Sequence, residues 1–295
     1  MSQNGMDSTN GALFGWLVSY PKSGNTWLRM MLRSLRQGGE PIDINEAGDA
    51  HILSRAEFEE HFGVESSDLT QAEIDAVRPE LHRAIARASK ESLILRKVHD
   101  RCWLTASGDP VFAPEISRGA VYIVRDPRDV AVSFAHHCHL DFEKSVQCIG
   151  DSTETFAGSV KRMNSQLVQP LGSWSEHVTS WLDRARMPVL LLRYEDMLKD
   201  PAHELARVAG FLGLPEADDV EACAKAAAAA DFSRLRQQED EMGFREKPAK
   251  AIRFFRQGRA GEGKEVLPPH LLQTIEADHG AVMERLGYRL TANSS

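Results

Sequence analysis

Cysteine is scarce and scattered. The four present, Cys102, Cys138, Cys148 and Cys223, form no C-x-x-C pair, so no disulfide framework is expected. No apolar run is long enough to cross a bilayer, and residues 1–12 lack the apolar core of a secretion signal. Those residues read as a flexible polar tail, and a reduced, cytoplasmic setting is the simplest expectation. Positive charge is in deficit, with 35 Lys and Arg against 43 Asp and Glu and a formal net charge of −8. A broad nucleic-acid-binding face is therefore not expected, and any anion site must be a local basic cluster in an acidic chain. Internal repeats are also lacking; the alanine run Ala226–Ala230 is strong helix former and no more.

What is present suits a globular protein: 295 residues, 42% hydrophobic and 26% charged, enough for one or two domains. Four short apolar runs read as strands, Leu13–Tyr20, Ser92–Val98, Ala120–Val124 and Val189–Tyr194. Their near-continuous hydrophobicity fits strands covered on both faces, as in a parallel sheet. Helical patterns follow three of them. Asn25–Gln37 repeats apolar residues at a period of about 3.6, and Asp126-Pro127 opens the next helix with a cap and a first-turn proline. Asp200-Pro201 repeats that device, and Gly213 is placed to end its helix. The alternation predicts an α/β fold, a doubly wound domain over residues 13–290 with a central parallel sheet flanked by helices.

Two regions depart from the alternation. Residues 38–91 form a polar, mostly helical insertion, with a capping box at Thr70 and Glu73 and a proline, Pro79, expected to kink or split the helix that follows. Residues 236–265 are charged and glycine-rich, and read as a mobile lid that orders on a ligand.

The most informative segment is Ser19–Trp27, SYPKSGNTW, where a strand passes into a helix. Backbone N–H groups converge at such a junction, and the helix dipole favours an anion there. Gly24 allows close approach, Ser23, Asn25 and Thr26 add donors, and Lys22 adds a charge. The string differs from G-x-x-x-x-G-K-[ST], because its lysine precedes a single glycine. Alone it fits equally well an ordinary turn with a solvated lysine.

Three further segments decide the matter. With YPKSGNTW they are VYIVRDPRDVAVSF from Val121, RYEDMLKDP from Arg193 and FRQGRAGEGK from Phe255. In this order they resemble the motifs of the PAPS-dependent sulfotransferase family, whose P-loop-like fold moves a sulfuryl group from 3'-phosphoadenosine-5'-phosphosulfate (PAPS) and releases adenosine 3',5'-bisphosphate (PAP). The resemblance implies that Lys22, Ser23, Gly24, Asn25 and Thr26 hold the 5'-phosphosulfate. It implies that Arg125 and Ser133 hold the 3'-phosphate, and that Trp27, Tyr194 and Phe232 contact adenine. Arg256, Gln257 and Gly258 would close over the 3'-phosphate. For Arg125 an ion pair with Asp126 or Asp129 is the competing expectation, and for Trp27 plain core burial. The sequence departs from the family pattern at Gln257, usually lysine, at Gly263, usually tryptophan, and at Ala230, often threonine, with Arg253 and Arg259 as compensating charges.

Sulfuryl transfer is an in-line displacement that depends on positioning and charge stabilisation, and the acceptor must lose a proton. Lys97-Val98-His99 looks like the family's K-x-H string, and period-two alternation puts Lys97 and His99 on one side of a strand end. His99 is the expected general base, Lys97 the ligand of the sulfuryl oxygens and Lys22 that of the bridging oxygen. Asp100-Arg101 replaces the family's usual Leu-Pro. The cluster His136-His137-Cys138-His139 is not expected to bind metal, since successive helical side chains diverge by about 100°; one of its first two histidines should face the acceptor. No metal is called for. The acceptor is a hydroxyl or amine of a small molecule, glycan or natural product, and the oligomeric state is left open. The alternatives are a magnesium-dependent P-loop kinase and a non-catalytic adenosine bisphosphate binder.

Overall fold

The structure is a computed structural model that describes residues 11–46, 52–158, 164–248 and 251–291. Most of the polar tail, and short parts of the insertion and of the lid segment, lie outside the described residues. Ala12 is buried, and its N–H donates to the Ala86 carbonyl.

Leu13–Ser19 (β1) is buried along almost its whole length and passes through a five-residue turn into Asn25–Arg36 (α1). The insertion supplies Arg55–Phe62 (α2) and Gln71–Ala88 (α3), each opened by a capping box, Ser54 with Glu57 and Thr70 with Glu73. In each box the hydroxyl accepts an orphan N–H of the first turn while the Glu takes the cap's own N–H. α3 continues through Pro79, which corrects the expectation of a split. Burial of Ile74, Leu81 and Ala86 along the helix outweighs the roughly 3 kcal/mol cost of an internal proline.

Leu93–Val98 (β2) and Ser117–Val124 (β3) follow, then Pro127–Cys138 (α4), where Asp126 accepts the Arg128 N–H as the cap, and Phe142–Gly150 (α5). Thr155–Phe156 (β4) and Gln169–Pro170 (β5) pair as a small antiparallel ribbon before Trp174–Arg184 (α6) and Val189–Arg193 (β6). The rest is helical: Tyr194–Lys199 (α7), Pro201–Leu212 (α8), Val220–Ala229 (α9), Phe232–Met242 (α10), Glu262–Val266 (α11) and Pro269–Arg285 (α12). Asp200 caps α8, and Gly213 closes it with φ 71°.

The four long strands make one parallel sheet in the order β2–β1–β3–β6. Alternate residues enter two cores. Trp16, Val18, Tyr122 and Val124 pack with residues of α4, α6 and α12, whereas Leu17, Val121, Ile123 and Leu192 pack with α1, α8 and α9. Because all four strands run the same way, their carboxyl ends share one edge of the sheet. β2 and β3 lie on opposite sides of β1, so the chain departs in opposite directions there, which is where such sheets hold ligands.

Candidate functional site

Every strand end at that edge leads directly into a residue singled out by the sequence. Beyond Ser19 lies the turn to α1, beyond Val98 lies His99, beyond Val124 lies Arg125, and beyond Arg193 lies Tyr194. In the turn after β1, Lys22 and Gly24 adopt left-handed backbone, with φ 71° and 107°. Gly24 is required twice over: its φ suits glycine, and a Cβ there would stand 2.7 Å from the Tyr194 ring. α1 has no side-chain cap, so its first N–H groups are left for another acceptor.

These residues surround one cavity of about 1100 Å³, roomier than the usual ~300–1,000 Å³ of a small-ligand pocket. Lys22, Gly24, Asn25, Thr26 and Trp27 line it together with Lys97, His99, Arg125, Ser133, Tyr194, Phe232, Arg256, Gln257 and Gly258. Of the predicted residues, Ser23 is set behind the wall, 1% exposed, with its Oγ lacking a partner among the described residues. Asn25 Nδ2 donates to the Leu17 carbonyl at 2.8 Å, and its Oδ1 is buried without a partner among the described residues.

The electrostatics are those of cations gathered in a buried space. Burial, then the nearby charges of Lys97 and Arg125, bring the Lys22 amine down to about 7. Its Nζ lies 3.2 Å from His137 Nδ1 and 4.2 Å from the Phe254 ring centroid. Burial and Arg29 bring Lys97 down to about 8, against the opposing pull of Glu246, which accepts from its Nζ at 3.2 Å. His99 is pushed well below the ordinary imidazole value by burial and by Lys97. Cations crowded in a buried space disfavour one another's charge, and a bound anion reverses both effects.

His99 is held from several directions. Its Nδ1 lies 2.8 Å from the Ser19 carbonyl oxygen, which can only accept, so Nδ1 carries the proton and Nε2 is the basic nitrogen. The backbone N–H donates to Gln169 Oε1, and the carbonyl accepts from His177 Nε2 at 2.9 Å, while Tyr122 donates to His177 Nδ1. Asp100, the residue that departs from the family string, is buried and pairs with Arg78 of α3 at 2.7 Å. That bond ties the inserted helices to the end of β2 beside the histidine.

Arg125 donates to the Lys22 carbonyl at 3.2 Å and to the Arg259 carbonyl at 2.9 Å, and its guanidinium lies 4.4 Å from the Tyr194 ring centroid. Its Nε is buried without a partner among the described residues. The expected competing ion pair is weak: Asp129 is 3.8 Å away and is engaged by the N–H groups of Gly261 and Gly263, while Asp126 goes to Arg128. Trp27 is half-buried and lines the cavity, and its Nε1 donates to the Ala230 carbonyl. Phe232 is packed so closely on Gly258 that a Cβ there would fall 2.5 Å from its ring. Arg256 pairs with Glu262, Arg253 with Asp240 and Arg259 with Glu265, and Gln257 is exposed, accepting from Arg259.

The absent tryptophan at Gly263 has a steric cause. A Cβ on Gly263 would lie 2.4 Å from the Arg128 backbone carbon, because α11 sits directly on the first turn of α4. Gly263→Ala is therefore expected to destabilise the protein by about 2 kcal/mol through forced overpacking, read as a lowered thermal midpoint. An unchanged midpoint would show that α11 does not pack as described.

Sequence reasoning missed Arg29, Glu246 and Phe254, which no local motif marks. Of the histidine cluster, His137 turns to Lys22 and His136 to Phe142. Among the described residues no group of three or more His, Cys, Asp or Glu side chains could hold a metal ion, and no helix is long and apolar enough to cross a membrane.

Comparison with known proteins agrees with this architecture. The chain is 30% identical to rat (Rattus norvegicus) sulfotransferase 1A1 over 206 residues, which is 68% of this chain and 60% of the relative. It is 27% identical to cattle (Bos taurus) sulfotransferase 1E1, over 69% of this chain and again 60% of the relative. Two solved structures share the fold. Retinol dehydratase in complex with androsterone and inactive cofactor PAP has a TM-score of 0.58 at 20% identity, covering 92% of this chain and 80% of that one. Mouse sulfotransferase SULT7A1 complexed with PAP has a TM-score of 0.55 at 21% identity, covering 96% and 89%. The family model described as the sulfotransferase domain matches residues 15–287, and with almost the whole chain inside that match, this protein belongs to the sulfotransferase domain family.

Proposed function

We propose that the protein transfers a sulfuryl group from PAPS to a hydroxyl or amine of a small-molecule, glycan or natural-product acceptor. The observation that carries the reading is the convergence of Lys22, Lys97, His99 and Arg125, from three strand ends, on one cavity in which burial and mutual repulsion weaken the lysine charges. The residues present fit the donor. The uncapped start of α1, the orphaned Arg125 Nε and the tight Gly24 turn are what a phosphate-bearing ligand needs. Trp27 and Phe232 offer ring surface to a base.

PAPS supplies the sulfuryl group and a bisphosphate leaving group; the rest falls to the chain. His99, neutral and with Nδ1 held on the Ser19 carbonyl, presents Nε2 to take the acceptor proton. Lys97 steadies sulfuryl oxygens, and Lys22 carries charge to the bridging oxygen as it becomes negative. Phe156 and Phe254, both lining the cavity, keep water from the acceptor end. The described chain between α10 and α11, whose Arg259 carbonyl accepts from Arg125, acts as a lid over the nucleotide.

Calorimetric titration with PAP, and with ADP and ATP plus magnesium as comparators, tests the reading. Tight metal-independent binding of PAP is the expected result, and preference for ATP with magnesium would favour a kinase. Arg125→Ala should weaken PAP by about 2 kcal/mol, the scale of a charge-assisted hydrogen bond, and AMP much less. Equal losses for both ligands would remove Arg125 from the 3'-phosphate.

A further inference from the structure

Glu246 stands against two of the buried cations that the cavity gathers. It comes from the described part of the segment between α10 and α11, which has no regular secondary structure. One of its carboxylate oxygens lies 2.5 Å from Arg29 Nη2, and the other 3.2 Å from Lys97 Nζ. A single oxyanion thus spans two cations drawn from different elements, α1 and β2. The cations are nearly enclosed, with side chains 5% and 13% exposed, whereas that of Glu246 is 33% exposed. The two basic groups are fixtures of the wall, and the carboxylate is the member of the trio with a way out.

We propose that Arg29 and Lys97 form a two-pronged subsite for the transferred sulfuryl group, that Arg29 is thereby a ligand of the donor, and that Glu246 is the internal placeholder that yields its position when the donor binds. This rests on the donor reading above and adds to it a residue that no motif assigns. A carboxylate that already bridges both cations shows that their spacing suits an oxyanion. A sulfonate offers the same kind of oxygens with one more to spare, and Arg matches such planar two-point contact better than Lys. Two anions cannot share the pair, since like charges at contact distance in a poorly solvated site repel strongly. Burial pushes the Glu246 carboxyl upward, yet Lys97 and Arg29 together bring it down to about 2, so it stays charged and its competition with the donor is direct. PAP lacks the sulfuryl group and has no quarrel with Glu246. The placeholder therefore penalises PAPS and spares PAP.

The test compares PAPS with PAP, by calorimetry without acceptor, in mildly acidic buffer where both lysines are charged. Glu246→Gln keeps the shape and removes the charge. It is expected to tighten PAPS about tenfold and to move PAP less than about twofold. Arg29→Gln is expected to weaken PAPS about tenfold, again with little effect on PAP. If Arg29→Gln fails to fold, as a thermal melt will show, Glu246→Gln decides alone, because Glu246 sits on an exposed segment. A Glu246→Gln protein that loses PAPS affinity, or whose two affinities move together, overturns the proposal and makes Glu246 a strap anchor. Wild-type protein that binds neither ligand would bring down the donor reading and this proposal with it.

Discussion

His99→Ala is expected to lower kcat about 10³-fold, within the range for loss of a positioned base, while PAP affinity stays within about twofold. The split follows from the geometry. The ring is spent on the Ser19 carbonyl through Nδ1, and the lysines and Arg125 of the cavity lean on neither of its nitrogens. Substitution therefore removes the proton acceptor and leaves the cations in place. The melting temperature should fall through loss of the ring's bond to the Ser19 carbonyl, while the contacts of residue 99 with Gln169 and His177 persist because its backbone makes them. The pH profile adds an independent check. Burial, and then Lys97, hold the imidazole well below its ordinary value, so it is neutral where an ordinary histidine would be half protonated. Wild-type kcat/KM should show no acid limb near the ordinary histidine pKa. A limb there, or a His99→Ala protein that turns over normally, would move the base elsewhere, with His137 the next residue to test.

How much of this was legible in the sequence follows from the range over which each signal acts. All four long strands are readable because sheets covered on both faces need near-continuous apolar runs, and the helix starts because Asp-Pro pairs act within one turn. The parallel edge then brings Lys22, His99, Arg125 and Tyr194 together across a sequence separation of 172. Pro79 does not split α3, because the local rule takes no account of the helix's buried face. Arg29 and Glu246 stand 217 residues apart, and an ion pair across that separation leaves no periodic or spacing signal. The same holds for Arg78 with Asp100, whose meaning appears only once α3 is seen packed beside the end of β2. Gly263 shows the limit from the other side. Its departure from the motif carries no reason within the sequence, whereas in the fold the backbone contact with Arg128 leaves no room for a side chain.

Lys22→Met should reduce transfer by at least about 10³-fold, the scale for removing a group aimed at developing negative charge, and should also erase a proton-uptake signal. Methionine removes the Nζ that stands over the Phe254 ring but keeps an unbranched stem, and it asks no more of the left-handed backbone at φ 71° than lysine does. In the free protein the amine titrates at about 7, lowered by burial first and by Lys97 and Arg125 next. An anionic ligand raises that value in the complex. The sign is then fixed: below about 7 the amine is already charged and binding takes up no proton there. As pH rises through that value the free amine becomes neutral, binding must recharge it, and affinity for PAP declines. Titrations in buffers of different ionisation enthalpy will measure the uptake directly. In Lys22→Met the component near 7 should vanish. Persistence of that component in a folded Lys22→Met protein would assign it to another group and remove Lys22 from the phosphosulfate site. Its loss together with transfer would tie the charge that binds the donor to the charge that catalyses its reaction.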